Sequence, residues 1–146
     1  MNCMMKLVAV AVLAVATTST AGAQQLPTPE QTYAEIEAAY GVVPGFMKAY
    51  PQTAIAGAWA MTKGLNYSPE NALEPKVKSL INLAVAAQIP CRYCIWIETK
   101  MAKRHGATDQ EVAEAVGQAA FTRHWSTVLN GFQIDFETFK SEFGGD

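Results

Sequence analysis

The sequence predicts an all-α domain, and three observations carry that reading. Apolar residues recur at helical spacing in the segment that begins at Glu74. Thr28-Pro29 and Thr108-x-x-Glu111 are helix-start signatures. No run alternates apolar and polar residues as a half-buried strand does. Nor does any unit repeat with a period of roughly 20–50 residues.

The elements follow in order. Residues 1–23 read as a secretory signal: Lys6 supplies a positive charge, Leu7 to Ala16 an apolar run, and Ala21-Gly22-Ala23 a small-x-small cleavage site. The run is too short and too weakly flanked to read as a membrane anchor. The expected product is one domain over 24–146, periplasmic or secreted. "QQLPTPEQ" is a polar arm, and Thr28 then caps a helix that Pro29 opens and Gly41 closes. "VVPGFMKAYP" reads as a turn with a short helical piece. Pro51 opens a helix expected to stop near Gly64, and "LNYSPENA" is a loop.

From Glu74 onward, Val77, Leu80, Ile81, Ala84, Val85 and Gln88 form the face of an amphipathic helix whose nearly all-apolar second half is expected to be buried. "IP" breaks it. A new helix starts around Cys91 and runs to His105, with Gly106 as its stop. The Thr108 capping box opens the longest helix, roughly Asp109 to Leu129, which Gly131 ends. "QIDFETFKSEF" adds a last amphipathic segment.

The formal net charge is −2 at pH 7, and removal of Lys6 with the leader makes it more acidic still. That balance argues against nucleic acid and against an anionic membrane surface as partners. Cleavage also removes Cys3, leaving Cys91 and Cys94 as a matched pair in a compartment where disulfides persist.

A C-x-x-C at a helix start has a defined chemistry. The helix N-terminus offers unpaired N–H groups and partial positive charge, both of which favour thiolate over thiol. Two intervening residues let the sulfurs bond, so the pair can cycle between dithiol and disulfide. Cys91, Cys94 and Glu98 fall on one helical stripe, with Glu98 where a proton partner for a thiol would sit. Three other readings stand beside the redox one. A structural disulfide closing so short a loop adds little stability. A zinc site would need two more ligands, and His105 and His124 do not form an H-x(3–5)-H pair. Two inert reduced cysteines would be unusual in an exported protein. No cofactor or metal is expected.

The segment "KSLINLAVAAQIPCRYCIWIETKMAKRHGATDQEVAEAV" is similar to the central segment of the AhpD-like branch of the carboxymuconolactone decarboxylase superfamily. The likeness covers roughly residues 74–131, with a looser echo in "VVPGFMKAYP". It implies a helical bundle of about six helices that assembles as a homo-oligomer, a trimer or a multiple of one. It also implies peroxidase or disulfide-reductase chemistry: Cys94 attacks a small-molecule peroxide or disulfide, and Cys91 resolves the product. An external thiol, of unknown identity for an exported chain, then reopens the bond. Two positions depart from the pattern the resemblance implies. Glu98 stands where that branch has histidine, and Ser79 stands where it has a glutamate, twelve residues before the first cysteine. A carboxylate beside a thiol discourages thiolate by like-charge repulsion, yet it serves as a base if burial lifts its pKa.

His124, in "FTRHWSTVLNG", is the candidate for returning an imidazole to the site, giving a cluster of Cys91, Cys94, Glu98 and His124. His105, at a helix end in "KRHG", is expected to serve the last-turn carbonyls and the helix dipole. Trp96 reads as core, and Tyr93 is an open choice between core and pocket lining. Two other functions compete. One is a non-enzymatic oligomeric binding module with a structural disulfide, its core and subunit interface drawn from "AIAGAWAM" and "LINLAVAA". The other is the superfamily's namesake lactone decarboxylation, for which the chain shows no basic cluster suited to a dicarboxylate.

Overall fold

Seven helices and no strand make up residues 26–145, the part of the chain that the computed structural model describes. The expected signal segment lies outside those residues. The helices are α1 (Pro29–Tyr40), α2 (Gly45–Lys48), α3 (Gln52–Tyr67), α4 (Pro75–Gln88), α5 (Arg92–Arg104), α6 (Asp109–Gly131) and α7 (Phe136–Glu142). The single turn α2 is the short helical piece expected after the turn in "VVPGFMKAYP". The chain divides into two units, Met1–Ala56 and Gly57–Asp146, with the boundary inside α3.

In the first unit, Thr28 and Gln31 form the capping box of α1. The Thr28 hydroxyl accepts from the Gln31 N–H at 3.3 Å, and the Gln31 side chain accepts from the Thr28 N–H at 2.9 Å. Gly41 closes the helix at φ 75°, a left-handed conformation that glycine adopts without a Cβ clash. Thr32, Ile36, Ile55 and Ala56 are buried.

In the second unit, α3 does not stop near Gly64 but continues to Tyr67. One glycine inside a helix costs only about 1 kcal/mol. The Asn71 amide donates to the carbonyls of Gly64 and Leu65 at 3.0 and 2.9 Å, satisfying groups near the helix end.

The centre of this unit is α4, which packs along α5 and also against α6. Leu83 and Ala86 of α4, Ala102 of α5 and Ala119 of α6 are buried. Three of these four are alanines, whose small side chains let the helices approach closely. The start of α4 is tied to the start of α6 by an ion pair, Lys76 Nζ to Glu111 Oε1 at 2.7 Å. The end of α4 is tied to the middle of α6 through Gln88, whose Nε2 donates to the Ala119 carbonyl at 2.7 Å. The two helices therefore run side by side in the same direction, while α5 returns antiparallel along α4. The Thr108–Glu111 capping box of α6 is present as the sequence predicts.

Candidate active site

The turn between α4 and α5 places the cysteines. The Ile89 N–H donates to the Val85 carbonyl at 3.1 Å, and the Cys91 N–H donates to the Ala86 carbonyl at 3.0 Å. These bonds close the end of α4 and bring Cys91 directly over it. Arg123 of α6 completes that end: its Nε donates to Gln88 Oε1 at 2.6 Å, and its terminal nitrogen to the Gln88 carbonyl at 3.2 Å. A cation on the last carbonyls of a helix is favoured by the helix dipole. The sequence marked Gln88 only as part of an apolar face and gave no sign of Arg123.

Cys91 is the N-cap residue of α5, and its Sγ accepts a hydrogen bond from the Cys94 N–H at 3.2 Å. This is the position that serine or aspartate oxygen takes in most helices, where it satisfies one of the orphan N–H groups. Cys91 and Cys94 are joined as a disulfide, with their Cα atoms 5.3 Å apart, a separation ordinary for a bridge. Both residues are half-buried.

Glu98 follows one turn after Cys94 and is also half-buried. Burial raises its pKa from the ordinary glutamate value; a hydrogen bond from the Asn82 side chain on α4 and the electrostatic effect of His105 oppose that rise. Glu98 thus lies on the α4-facing side of α5.

His105 ends the same stripe. It is the C-cap of α5, fixed there by paired backbone bonds: Gly106 N–H to the Lys103 carbonyl at 3.0 Å, and Ala107 N–H to the Ala102 carbonyl at 2.9 Å. This is a Schellman closure, with Gly106 at φ 86° and the two alanines buried together beneath it. The imidazole turns to α4, where Nδ1 lies 3.4 Å from Ser79 Oγ, instead of serving the last-turn carbonyls as expected. Ser79 is 5% exposed.

His124 sits on an exposed part of α6, edge-on to Trp125 with 5.1 Å between ring centroids. Among the described residues it makes no hydrogen bond to either cysteine or to Glu98. The imidazole that this chain brings to the Glu98 stripe is that of His105. Tyr93 and Trp96 are 75% and 64% exposed, so neither is core within one chain; Arg92 and Lys100 lie over their rings. Among the described residues no group of three or more His, Cys, Asp or Glu side chains is arranged to hold a metal ion. No described helix is long and apolar enough to cross a membrane.

An all-helical fold carrying a disulfide across the start of α5 defines a class of thiol-bearing helical domain. The sequence profile of the carboxymuconolactone decarboxylase family matches residues 44–135, and the chain belongs to that family. Its fold is similar to the crystal structure of an alkylhydroperoxidase AhpD core from Rhodospirillum rubrum. That match has a TM-score of 0.65 and 24% identity, over 76% of this chain and 85% of the other. At that identity the likeness speaks for the fold. A protein of Paracoccus denitrificans described as uncharacterized protein 4 in cox locus is 41% identical over 54 residues. The match takes in 37% of this chain, which spans about half (49%) of the length of that relative.

Proposed function

We propose that this protein is an exported thiol-dependent peroxidase or disulfide oxidoreductase that works by cycling the Cys91–Cys94 pair. The observation that carries the proposal is the Cys94 N–H bound to Cys91 Sγ at the head of α5, with Glu98 one turn further on. The two sulfurs then have different supports. The N-cap bond and the helix dipole favour Cys91 as thiolate once the disulfide opens. Cys94 has Glu98 as its neighbour at i+4, a candidate base whose pKa burial raises. The resemblance to the AhpD-like branch, not the helix start, assigns the roles: Cys94 meets the peroxide, and Cys91 closes the disulfide on the resulting sulfenic acid. An external thiol, of identity still to be found, resets the pair.

The test is peroxide consumption by purified protein supplied with a dithiol. Wild type consumes peroxide in step with dithiol oxidation. Absence of turnover, with Cys94→Ser indistinguishable from wild type, would sink the proposal.

The same reading includes a homo-oligomer, a trimer or a multiple of one. Val77, Ile81 and Val85 of α4 and its C-cap residue Ile89 recur every fourth residue and are 38–62% exposed in the single chain, an apolar row that a second copy would cover. Light scattering after size exclusion tests this; a monomer at micromolar concentration contradicts it. The row also supports a second reading, in which the chain is an oligomeric binding module and the disulfide is merely structural. The reduction potential of the pair separates the two readings.

A further inference from the structure

The ends of α4 and α5 are closed differently. A Schellman closure has two bonds, one from each of the two residues beyond the C-cap. At the end of α5 the chain makes both itself: Gly106 N–H to the Lys103 carbonyl at 3.0 Å, and Ala107 N–H to the Ala102 carbonyl at 2.9 Å. At the end of α4 the matching positions are Pro90 and Cys91. Cys91 makes the outer bond, to the Ala86 carbonyl at 3.0 Å. Pro90 has no N–H, so the inner bond is not made. The turn that carries the first cysteine is thus one bond short.

Donors come instead from α6. Arg123 donates through Nε to Gln88 Oε1 at 2.6 Å, and through a terminal nitrogen to the Gln88 carbonyl at 3.2 Å. Gln88 in turn donates through Nε2 to the Ala119 carbonyl at 2.7 Å. Ala119 and Arg123 are four apart, so one turn of α6 holds both ends of the Gln88 amide and its backbone carbonyl. Gln88 is the last residue of α4, and Ile89 and Pro90 are all that separate it from Cys91. Among the described residues Arg123 has no carboxylate partner, and its guanidinium is given to this turn.

We propose that Arg123 is a positioning residue for the Cys91–Cys94 couple and acts through Gln88. This rests on the redox reading of the pair. An external dithiol opens the bond in two exchanges. Its first thiolate attacks Cys94 Sγ, the Cys91–Cys94 bond breaks, and Cys91 leaves as the thiolate that the helix start favours. Its second thiolate then displaces Cys94. The dithiol ends as a disulfide, and its two electrons and two protons pass to the cysteines. The return to the disulfide depends on how constantly each sulfur is held within reach of the other. Cys94 is held by α5. Cys91 is held from its other side by the end of α4, and the Arg123 clasp keeps that end from fraying. Without the clasp Cys91 moves more freely. The effective concentration of one sulfur at the other then falls, and the equilibrium shifts towards the dithiol.

The experiment equilibrates the full protein in glutathione buffers and measures the constant between its dithiol and disulfide forms. The variants are Arg123→Gln, Gln88→Ala, the two combined, and Lys76→Gln. Arg123→Gln should favour the dithiol by about fivefold, the weight of one hydrogen bond in an equilibrium constant. Gln88→Ala should shift the constant the same way. The combined variant should shift it by less than the product of the two, because both changes act on one clasp. Lys76→Gln cuts the other tie between α4 and α6, the ion pair with Glu111. It should lower Tm and leave the constant at the wild-type value, which separates the turn from the packing of the two helices in general. An unchanged constant in Arg123→Gln overturns the proposal, and so does an equally large shift in Lys76→Gln. If Arg123→Gln does not fold, Arg123→Lys is read in its place and the same two results decide, since an ammonium lacks the planar fork that meets both Gln88 oxygens. If wild type consumes peroxide with a dithiol and the constants agree, only this inference falls. If wild type does not, the functional reading falls and takes the inference with it.

Discussion

At the start of α5, Cys91 Sγ takes a backbone N–H from three residues along the same chain segment. At the end of that helix, His105 is fixed by a backbone closure of its own, but its ring is directed by Ser79 from another helix. The first end is local: nearly everything that positions the sulfur lies within six residues of it. The second depends on α4 and α5 lying antiparallel, so its partner comes from far away in sequence. A local device survives any change that leaves the helix start intact, whereas the other end fails when the packing of α4 on α5 is disturbed.

The largest expected effect breaks the first end outright. Cys94→Ser or Cys91→Ser should reduce dithiol-dependent peroxide consumption to background in a coupled assay, since each removes half of the couple. Next comes the residue between the two ends. Glu98→Gln should slow turnover by about a hundredfold, the lower range for loss of a proton-transfer group. Because burial raises the pKa of Glu98, the carboxylate is lost earlier on acidification than from an ordinary glutamate, so wild-type activity should already be falling above pH 4.5. The stability effect has the opposite sign. A raised carboxyl pKa contributes stability that is full below the unfolded value and is lost as pH rises through the folded one. Thermal melts should therefore show Glu98→Gln gaining on wild type between pH 4 and pH 8.

The far end gives a smaller effect. Gly106→Ala meets no neighbouring atom within 4 Å, so its cost is that of φ 86° alone: about 1–2 kcal/mol for a side chain in the left-handed region. A drop of a few degrees in Tm should accompany loosening of the His105 ring, read as a broadened imidazole resonance. The smallest effect lies off the stripe, at Glu111. Hydrogen bonds from Lys76 and Thr108 hold its pKa down to about 2. The stability it contributes is full above its unfolded value near 4.5 and is lost as pH falls towards 2. Glu111→Gln should flatten that acid limb in urea titrations at pH 2.5 and 5.5, with little change in activity.

Legibility followed the same division between near and far. The caps of α1 and α6, the left-handed stops at Gly41 and Gly106, and Cys91 at the head of α5 were all readable, because each rests on residues within one or two turns of one another. The all-helical fold and the family followed from the segment around the cysteines. The overrun of α3 to Tyr67 was not readable, because Asn71 folds back over seven residues to bond the Gly64 carbonyl. The Arg123–Gln88 clasp and the Ser79–His105 pair were hidden for the stronger reason that their members stand 35 and 26 residues apart. A heptad count from Cys91 through Glu98 to His105 puts that histidine on the stripe. What the count could not give is that Ser79, marked only as a departure, is the side chain that meets the ring.

The central claim, that Cys91 and Cys94 form a working redox couple, is tested most directly by equilibrating the purified protein in glutathione or dithiothreitol buffers and measuring the dithiol fraction. The account predicts a reduction potential near about −200 mV or higher, where an external thiol can open the bond. A value below about −300 mV, the range of resistant structural disulfides, would contradict it.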